Sequence, residues 1–334
     1  MSRTAGRRVA IVGATGAVGE ELLLVLAARA FPVSQLSLLA SERSAGQQLR
    51  FRGELVPVQA LADDSFRGVE LALFSAGAAV ARQWAPRAVA AGAVVVDNSS
   101  AFRQQDDVPL VVPEVNAAAL RGHRGLIANP NCSTIILVLA LAPLHAAAGL
   151  AAVVVATYQA ASGAGRQALL ELRRGAAAAL AGEPFTPAAL PHALGFNLFP
   201  RVDVFGPDGY TREEDKLQHE SRKILGVEAL AVEATCVRVP VERCHSEAVA
   251  VALQRPLLPA AARALFARSP GLVVQDDPEH SIYPQPLLQA GRDAVAVGRI
   301  RHSRVFDPGL AFWLVGDQLR KGAALNAVQI AELV

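Results

Sequence analysis

The 334-residue sequence predicts an α/β protein of two domains: a doubly wound parallel sheet, then an α+β domain with a mostly antiparallel sheet. Three observations predict it. Short apolar runs alternate with helical patterns over the first hundred residues. A glycine-rich turn joins the first run to the first helix. Beyond about residue 130, longer β-like runs follow one another with few helices between them. At 52% hydrophobic and 19% charged, the chain can bury sizeable cores and does not read as disordered.

The elements follow in order. Residues 1–8 are short and polar and run straight into a strand at 8–12, so no signal peptide is expected. Leucines and alanines at helical spacing make 20–29 a helix. Strands at 36–40, 69–74 and 93–96 complete βαβ units with helices on both faces. This first domain is expected over residues 1–130, completed by the helical pattern of 317–334. Residues 132–158 are almost wholly apolar, but Pro143, His145 and Gly149 divide them into a buried helix and a strand rather than a membrane span. Further strands at 233–239, 247–254, 294–301 and 311–315 build the second domain, 131–316. The alanine run 176–181 lies among helix formers and reads as helix.

The net charge of +2 is spread along the chain, with no basic block interleaved with aromatics, which argues against nucleic acid as a partner. Three cysteines, Cys132, Cys236 and Cys244, have no metal-ligand spacing. No metal site is expected, and so sparse a set suits a reducing cytoplasm.

The turn Gly13-Ala14-Thr15-Gly16-Ala17-Val18-Gly19 sits at the first strand–helix junction of the chain. Glycines there let the backbone approach a pyrophosphate, whose charge meets the helix N-terminus. The first domain is therefore expected to be Rossmann-like and to bind a dinucleotide, although G-x-x-G-x-x-G is less specific than G-x-G-x-x-G. The second strand runs into Ser41-Glu42-Arg43-Ser44. Arg43, with the hydroxyls of Ser41 and Ser44, could hold a 2′-phosphate, which favours NADP, while Glu42 leaves room for NAD.

Asn129-Pro130-Asn131 forms a turn that places Cys132 at the start of the long apolar helix. A helix N-terminus favours a thiolate and can receive an oxyanion. A lone cysteine is more often a buried structural one, and the polar turn around this one tips the reading toward a nucleophile. Among seven histidines, His245 is the best general base, in an expected turn between two strands. Taken alone, any single histidine is more often a surface or packing residue.

Several segments together are familiar: the glycine loop, Asp97-Asn98-Ser99-Ser100-Ala101-Phe102-Arg103, Val112-Pro113-Glu114-Val115-Asn116, and Asn129 through Thr134. To these are added Thr157-Tyr158-Gln159-Ala160-Ala161-Ser162-Gly163-Ala164-Gly165, Glu213-Glu214-Asp215-Lys216, Arg238 through Ser246, and Leu319 through Asn326. In this order the set resembles the aspartate-β-semialdehyde dehydrogenase family over nearly the whole chain. The resemblance implies reversible, NADP-linked conversion of L-aspartate-β-semialdehyde and phosphate to β-aspartyl phosphate, run reductively in biosynthesis of the aspartate-derived amino acids. It further implies that Cys132 carries the acyl group, His245 is the acid/base, and Gln159 orients the substrate. Arg238 would clamp the α-carboxylate and Glu213 meet the α-ammonium. Arg103, Asn131 and Lys216 would bind phosphate. Cofactor contacts would fall to Gly13, Thr15, Gly16, Ala17 and Val18 of the loop, to Arg43, Ser44, Ser75 and Gly77, and to Ser162, Gly163 and Gln318. A homodimer or homotetramer through the second domain is implied as well.

Read without the resemblance, Glu213 and Lys216 are an i,i+3 ion pair on a solvated helix face. Lysine is rare in this chain, with Lys216, Lys223 and Lys321 its only examples, which speaks against that reading. Two positions depart from the family pattern: Ile136 stands where glutamine is common, and Gln318 where asparagine is. An N-acetyl-γ-glutamyl-phosphate reductase would share the layout, but its acylated substrate has no ammonium for Glu213 to meet. A non-catalytic scaffold would be expected to lose Cys132, Gln159, Arg238 or His245, and all four are present.

Overall fold

The structure, a computed structural model, describes residues 6–334. They pack as two compact units, one reaching to Asn131 and joined by Ala323–Val334, the other Cys132–Gly322. The first contains β1 (Arg7–Val12), α1 (Ala17–Ala28), β2 (Val33–Ala40), β3 (Gln48–Phe51), β4 (Glu54–Ala60), β5 (Leu71–Phe74), α2 (Ala78–Ala90), β6 (Val94–Asp97), α3 (Pro113–Asn116) and β7 (Leu126–Ala128). The second contains α4 (Cys132–Ala148), β8 (Leu150–Gln159), α5 (Arg166–Ala181), α6 (Arg212–Leu225), β9 (Ala231–Arg238), β10 (His245–Leu253), α7 (Pro259–Ala267), β11 (Leu272–Val274), α8 (Pro286–Gln289), β12 (Val295–His302) and β13 (Gly309–Gly316). The last helix, α9 (Leu325–Glu332), returns to the first unit.

The first unit is a seven-stranded sheet in the order β3-β4-β2-β1-β5-β6-β7, parallel except for the β3–β4 hairpin. Its central strand is apolar and buried from Val9 to Val12 because helices cover both faces. Leu22 and Leu26 of α1 are fully buried, each worth about 2 kcal/mol in apolar area removed from water. Val328 and Ile330 of α9 join the same core. Gly13 has φ +86°, and a Cβ there would lie 2.6 Å from the Ser75 carbonyl oxygen. A Cβ on Gly19 would lie 2.3 Å from the Gly13 oxygen, so the loop can close onto the helix only with glycine at both positions.

The second unit is a six-stranded sheet in the order β11-β12-β13-β10-β8-β9. It is parallel at β8–β9 and β11–β12 and antiparallel elsewhere. The long apolar segment forms α4, buried throughout from Ser133 to Leu141, then turns at Gly149 (φ +69°) into β8. Among the described residues no helix is long and apolar enough to cross a membrane. Helices are more numerous here than the sequence pattern suggests. α6 carries a Thr211–Glu214 capping box and three acids in its first turn, which complement the helix dipole.

The tail also differs from expectation. Residues 317–322 pack within the second unit rather than completing the first. The buried Asp317 carboxylate accepts from Arg243 Nε at 2.6 Å and from the Gly291 N–H at 2.7 Å, which ties this turn to its own unit. A π-helical turn, Arg320–Ala324, precedes α9, so Gln318 lies in the turn before the helix rather than at its start.

Candidate active site

The first unit carries a cleft of about 540 Å³ between the ends of β1 and β2. Gly13, Thr15 and Gly16 line it beside Ser75, with Ser41 and Glu42 farther along and Leu61, Val80 and Trp84 closing it. Ala17 and Val18 open α1 below the loop, and Gly77 (φ +84°) opens α2. A glycine cradle that side chains would fill, at a helix start, fits a dinucleotide pyrophosphate. Ser44 accepts from Thr15 Oγ1 at 3.4 Å. Arg43 is exposed beside it, and Glu42 rather than Arg43 reaches the cleft lining.

Arg103, in the same unit, is held rigid for its size. Nε donates to the Asn129 carbonyl at 2.9 Å and a terminal nitrogen to the Asn98 carbonyl at 2.7 Å. Asn129 is in turn bonded to Asn98 Oδ1 and, at 2.7 Å, to Asn326. Asn131, buried, ends this unit.

In the second unit, one face of the sheet gathers the remaining polar side chains. Gln159 pairs with Arg238 across β8 and β9, and Thr157 pairs with both Cys236 and Glu247. Period-two alternation then puts Arg238, Gln159 and His245 in one row, with Cys236, Thr157 and Glu247 in the next. Gln159 Nε2 lies 3.1 Å from Ser133 Oγ at the head of α4, 3.2 Å from Thr157 Oγ1 and 3.2 Å from Glu213 Oε1. The amide therefore links the helix that starts with Cys132 to the helix that carries Glu213. Glu213 also accepts from Lys216 Nζ at 3.0 Å, and Lys216 reaches Asp203 at 2.8 Å. The pair is not on a solvated face: the Glu213 side chain is only 7% exposed.

His245 is the first residue of β10 and fully buried, not in a turn. Its Nδ1 accepts the Ala160 N–H at 3.1 Å, so the neutral ring carries its proton on Nε2, which has no partner among the described residues. Burial, aided by the neighbouring Arg238 charge, pulls its pKa down to about 3. Arg238 is itself lowered by burial, opposed by the charge of Glu213, and it donates to the Ala160 carbonyl at 2.6 Å. Burial of Lys216 alone would favour its neutral form, but Glu213 and Asp203 outweigh it and hold the ammonium charged. Gly163 fits closely over this row. A Cβ there would lie 2.8 Å from His245 Cε1 and 3.1 Å from Arg238.

The neighbouring cysteines are poor rivals for Cys132. Burial pushes Cys244 up to about 12 and Cys236 higher still. Cys132 is partly exposed at the head of α4, and Gly322 packs on it, a Cβ there lying 3.0 Å from the Cys132 Cβ. Ser162 donates to the Glu242 carbonyl and accepts from Gln318 Nε2 at 2.6 Å, while Gln318 Oε1 accepts the Cys244 N–H at 2.8 Å. Gln318 thus clamps the turn that leads into His245. Ile136 is buried against Gly316, where it packs apolar surface.

Sequence reasoning missed Ser133, Thr157 and Asp203 as partners, the buried Glu247, and Leu61 and Trp84 in the cleft. Glu247 had a visible signal, standing two residues after His245 in a strand. Asp203 had none, since only the fold brings it to Lys216.

Among family descriptions, "Semialdehyde dehydrogenase, NAD binding domain" matches residues 8–123 and "Semialdehyde dehydrogenase, dimerisation domain" matches 141–321. The chain is 51% identical to the aspartate-semialdehyde dehydrogenase of Aquifex aeolicus, covering 98% of each chain. It resembles the structure of aspartate semialdehyde dehydrogenase II of Vibrio cholerae complexed with ASA, with TM-score 0.96 and 44% identity over 99% of this chain and 98% of that one. A Candida albicans aspartate semialdehyde dehydrogenase with NADP is similar at TM-score 0.75 and 26% identity, over 98% of each chain.

Proposed function

The chain belongs to the aspartate-semialdehyde dehydrogenase family, and from that premise we propose the reaction it runs and the work of each side chain. It reduces β-aspartyl phosphate to L-aspartate-β-semialdehyde and phosphate, reversibly, through a thioester on Cys132. The observation that carries this reading is Gln159, which shares a sheet row with Arg238 and His245 and whose amide ties the head of the Cys132 helix to the buried Glu213 carboxylate of α6.

Arg238 clamps the substrate α-carboxylate, a task that suits its planar guanidinium. Glu213 receives the α-ammonium; its burial makes a charged partner valuable there. Gln159 holds the carbonyl against Cys132. The thiolate displaces phosphate from the acyl phosphate and forms the thioester, and the bound nicotinamide supplies hydride to its carbonyl carbon. As the carbonyl oxygen gains negative charge, the neutral His245 ring stabilises it with a hydrogen bond from Nε2–H, in the forward and the reverse direction alike. Pairing of the substrate carboxylate with Arg238 also offsets the positive charge that lowers the His245 pKa. Collapse of the thiohemiacetal then breaks the C–S bond and releases the aldehyde.

Arg103, Asn131 and Lys216 are assigned to phosphate. Two backbone carbonyls fix the Arg103 fork in advance, which reduces the ordering cost of anion binding. The dinucleotide takes the cleft at Gly13, Thr15, Gly16, Ala17 and Val18, with Ser75 and Gly77 beside it and Ser162, Gly163 and Gln318 toward the nicotinamide. Arg43 and Ser44 select NADP by meeting its 2′-phosphate. The enzyme works as a cytoplasmic homodimer.

A single-turnover experiment tests the thioester. With aldehyde and NADP⁺ but no phosphate, wild type should reduce about one equivalent of cofactor per chain and leave an acyl group on Cys132. Cys132→Ala should give neither while staying folded. Near-normal turnover by that variant would sink the mechanism.

A further inference from the structure

The loop that leads from α5 into α6 is pinned at two points. Phe199 exchanges backbone bonds with Arg238 at 2.9 and 3.1 Å, and the Val204 carbonyl accepts the Arg212 N–H at 2.9 Å at the head of α6. Between these anchors Asp203 takes φ +70°, a left-handed conformation that aspartate tolerates better than most residues but still at a cost. Both oxygens of its carboxylate are engaged. Oδ1 accepts the Val204 N–H at 2.9 Å, and Oδ2 accepts from Lys216 Nζ at 2.8 Å. Lys216 also donates to Glu213 Oε2 at 3.0 Å, while Glu213 Oε1 accepts from Gln159 at 3.2 Å.

We propose that Asp203 is a positioning residue of the reaction: it holds the Lys216 ammonium in place for phosphate while the substrate α-ammonium draws on Glu213. The proposal rests on the assignment above of Lys216 to phosphate and of Glu213 to the α-ammonium.

Charge and donor count support it. A second ammonium arriving at Glu213 sets two cations on one carboxylate, and their mutual repulsion weakens the hold of Glu213 on Lys216. Asp203, carried by the loop rather than by α6, keeps its hold. An ammonium has three donors. Asp203 and Glu213 take two of them, which leaves a third for an anion. The four-carbon stem of lysine is flexible, so its charge stays in place only against a partner that is itself fixed. Asp203 meets that need, because the loop anchors set its backbone and the Val204 N–H sets its carboxylate. The Lys216 side chain is only 22% exposed, and burial alone would favour its neutral form; Asp203 is one of the two anions that hold it charged. An ordinary surface ion pair would need neither the left-handed backbone nor the second bond to the carboxylate.

Phosphate kinetics of the full chain, measured in the direction of aldehyde oxidation, test the proposal. Asp203→Asn suits the left-handed backbone and keeps an acceptor for the Val204 N–H, while it removes the charge that faces Lys216. D203N should raise the phosphate KM about tenfold, with the NADP⁺ KM within about twofold of wild type. The double variant D203N/K216A should match the phosphate KM of K216A within about twofold, because Asp203 acts through Lys216. A D203N phosphate KM at or below that of wild type, where K216A raises it, overturns the positioning role and leaves the phosphate assignment standing. A double variant well above K216A shows Asp203 acting through the loop alone and overturns the role as well. K216A with the phosphate KM of wild type overturns the assignment of Lys216, and the proposal with it.

Discussion

Substituting His245 by asparagine offers the sharpest energetic test of the site, because the structure supplies its magnitude. In the fold His245 is fully buried, with its pKa pulled from 6.5 to about 3 by burial and by Arg238. Between those values the unfolded chain binds a proton that the folded chain refuses. The unfolded state therefore gains on acidification, and stability is lost as pH falls through about 6.5 toward 3. At about pH 7.5 the effect is negligible. At about pH 5 the unfolded imidazole is almost wholly protonated and the folded one is not, a gap of about 1.5 logarithmic units or about 2 kcal/mol. His245→Asn keeps an acceptor for the Ala160 N–H but has nothing to titrate. Urea unfolding of both proteins at the two pH values, at one chain concentration, isolates the site, since other titrating groups cancel in the difference. Wild type should lose about 2 kcal/mol more than the variant. Equal losses would refute the buried, neutral histidine and with it the Nε2–H donor.

Other outcomes follow from neighbouring geometry. Glu247 is fully buried with neither oxygen bonded among the described residues, and burial raises its pKa well above 4.5. Its folded carboxyl holds a proton that the unfolded one releases, so stability is lost as pH rises above about 4.5. Glu247→Gln should unfold at a higher temperature than wild type at about pH 8, with a smaller gap near pH 5; a constant gap would rule out titration as the cause. Gly163→Ala should lower kcat about a hundredfold at nearly unchanged thermal stability, because the new Cβ would press within 2.8 Å of the His245 ring. Wild-type kcat would show that the ring can yield without cost. Lys216→Ala should raise the phosphate KM about tenfold or more by removing a fixed charge from the anion's site. An unchanged KM removes Lys216 from that role.

Much of this was legible in the sequence, for identifiable reasons. Helix-covered parallel strands such as β1 and β5 are apolar runs, so the alternation in the first hundred residues shows them directly. The hairpin β3–β4 escaped notice because β3 is only four residues long at the sheet's edge, and β4 is interrupted by Pro57 and largely exposed. Its turn, Arg52 and Gly53, is written mainly in backbone angles, φ 50° and 91°. The helix head at Cys132 and the strand-borne Arg238 followed from local patterns and the family resemblance. The seating of His245 did not: residues 240–245 look like a turn, and only the pairing of His245 with Gly316 makes it the first residue of a buried strand. Gln318 illustrates the limit. Its place in the chain suggests a helix start, whereas its bonds to Ser162 and Cys244 depend on contacts more than seventy residues away in sequence. Long-range pairing decides such cases, and no local window contains it.

The central claim is a phosphate-requiring, NADP-linked oxidation of aspartate-β-semialdehyde at Cys132. The most direct measurement follows the absorbance of reduced nicotinamide with this aldehyde, with and without phosphate, and with NADP⁺ or NAD⁺. The account predicts sustained reduction of NADP⁺ only when phosphate is present, and markedly less with NAD⁺. No reduction of either cofactor by folded protein with a free Cys132 thiol would contradict it.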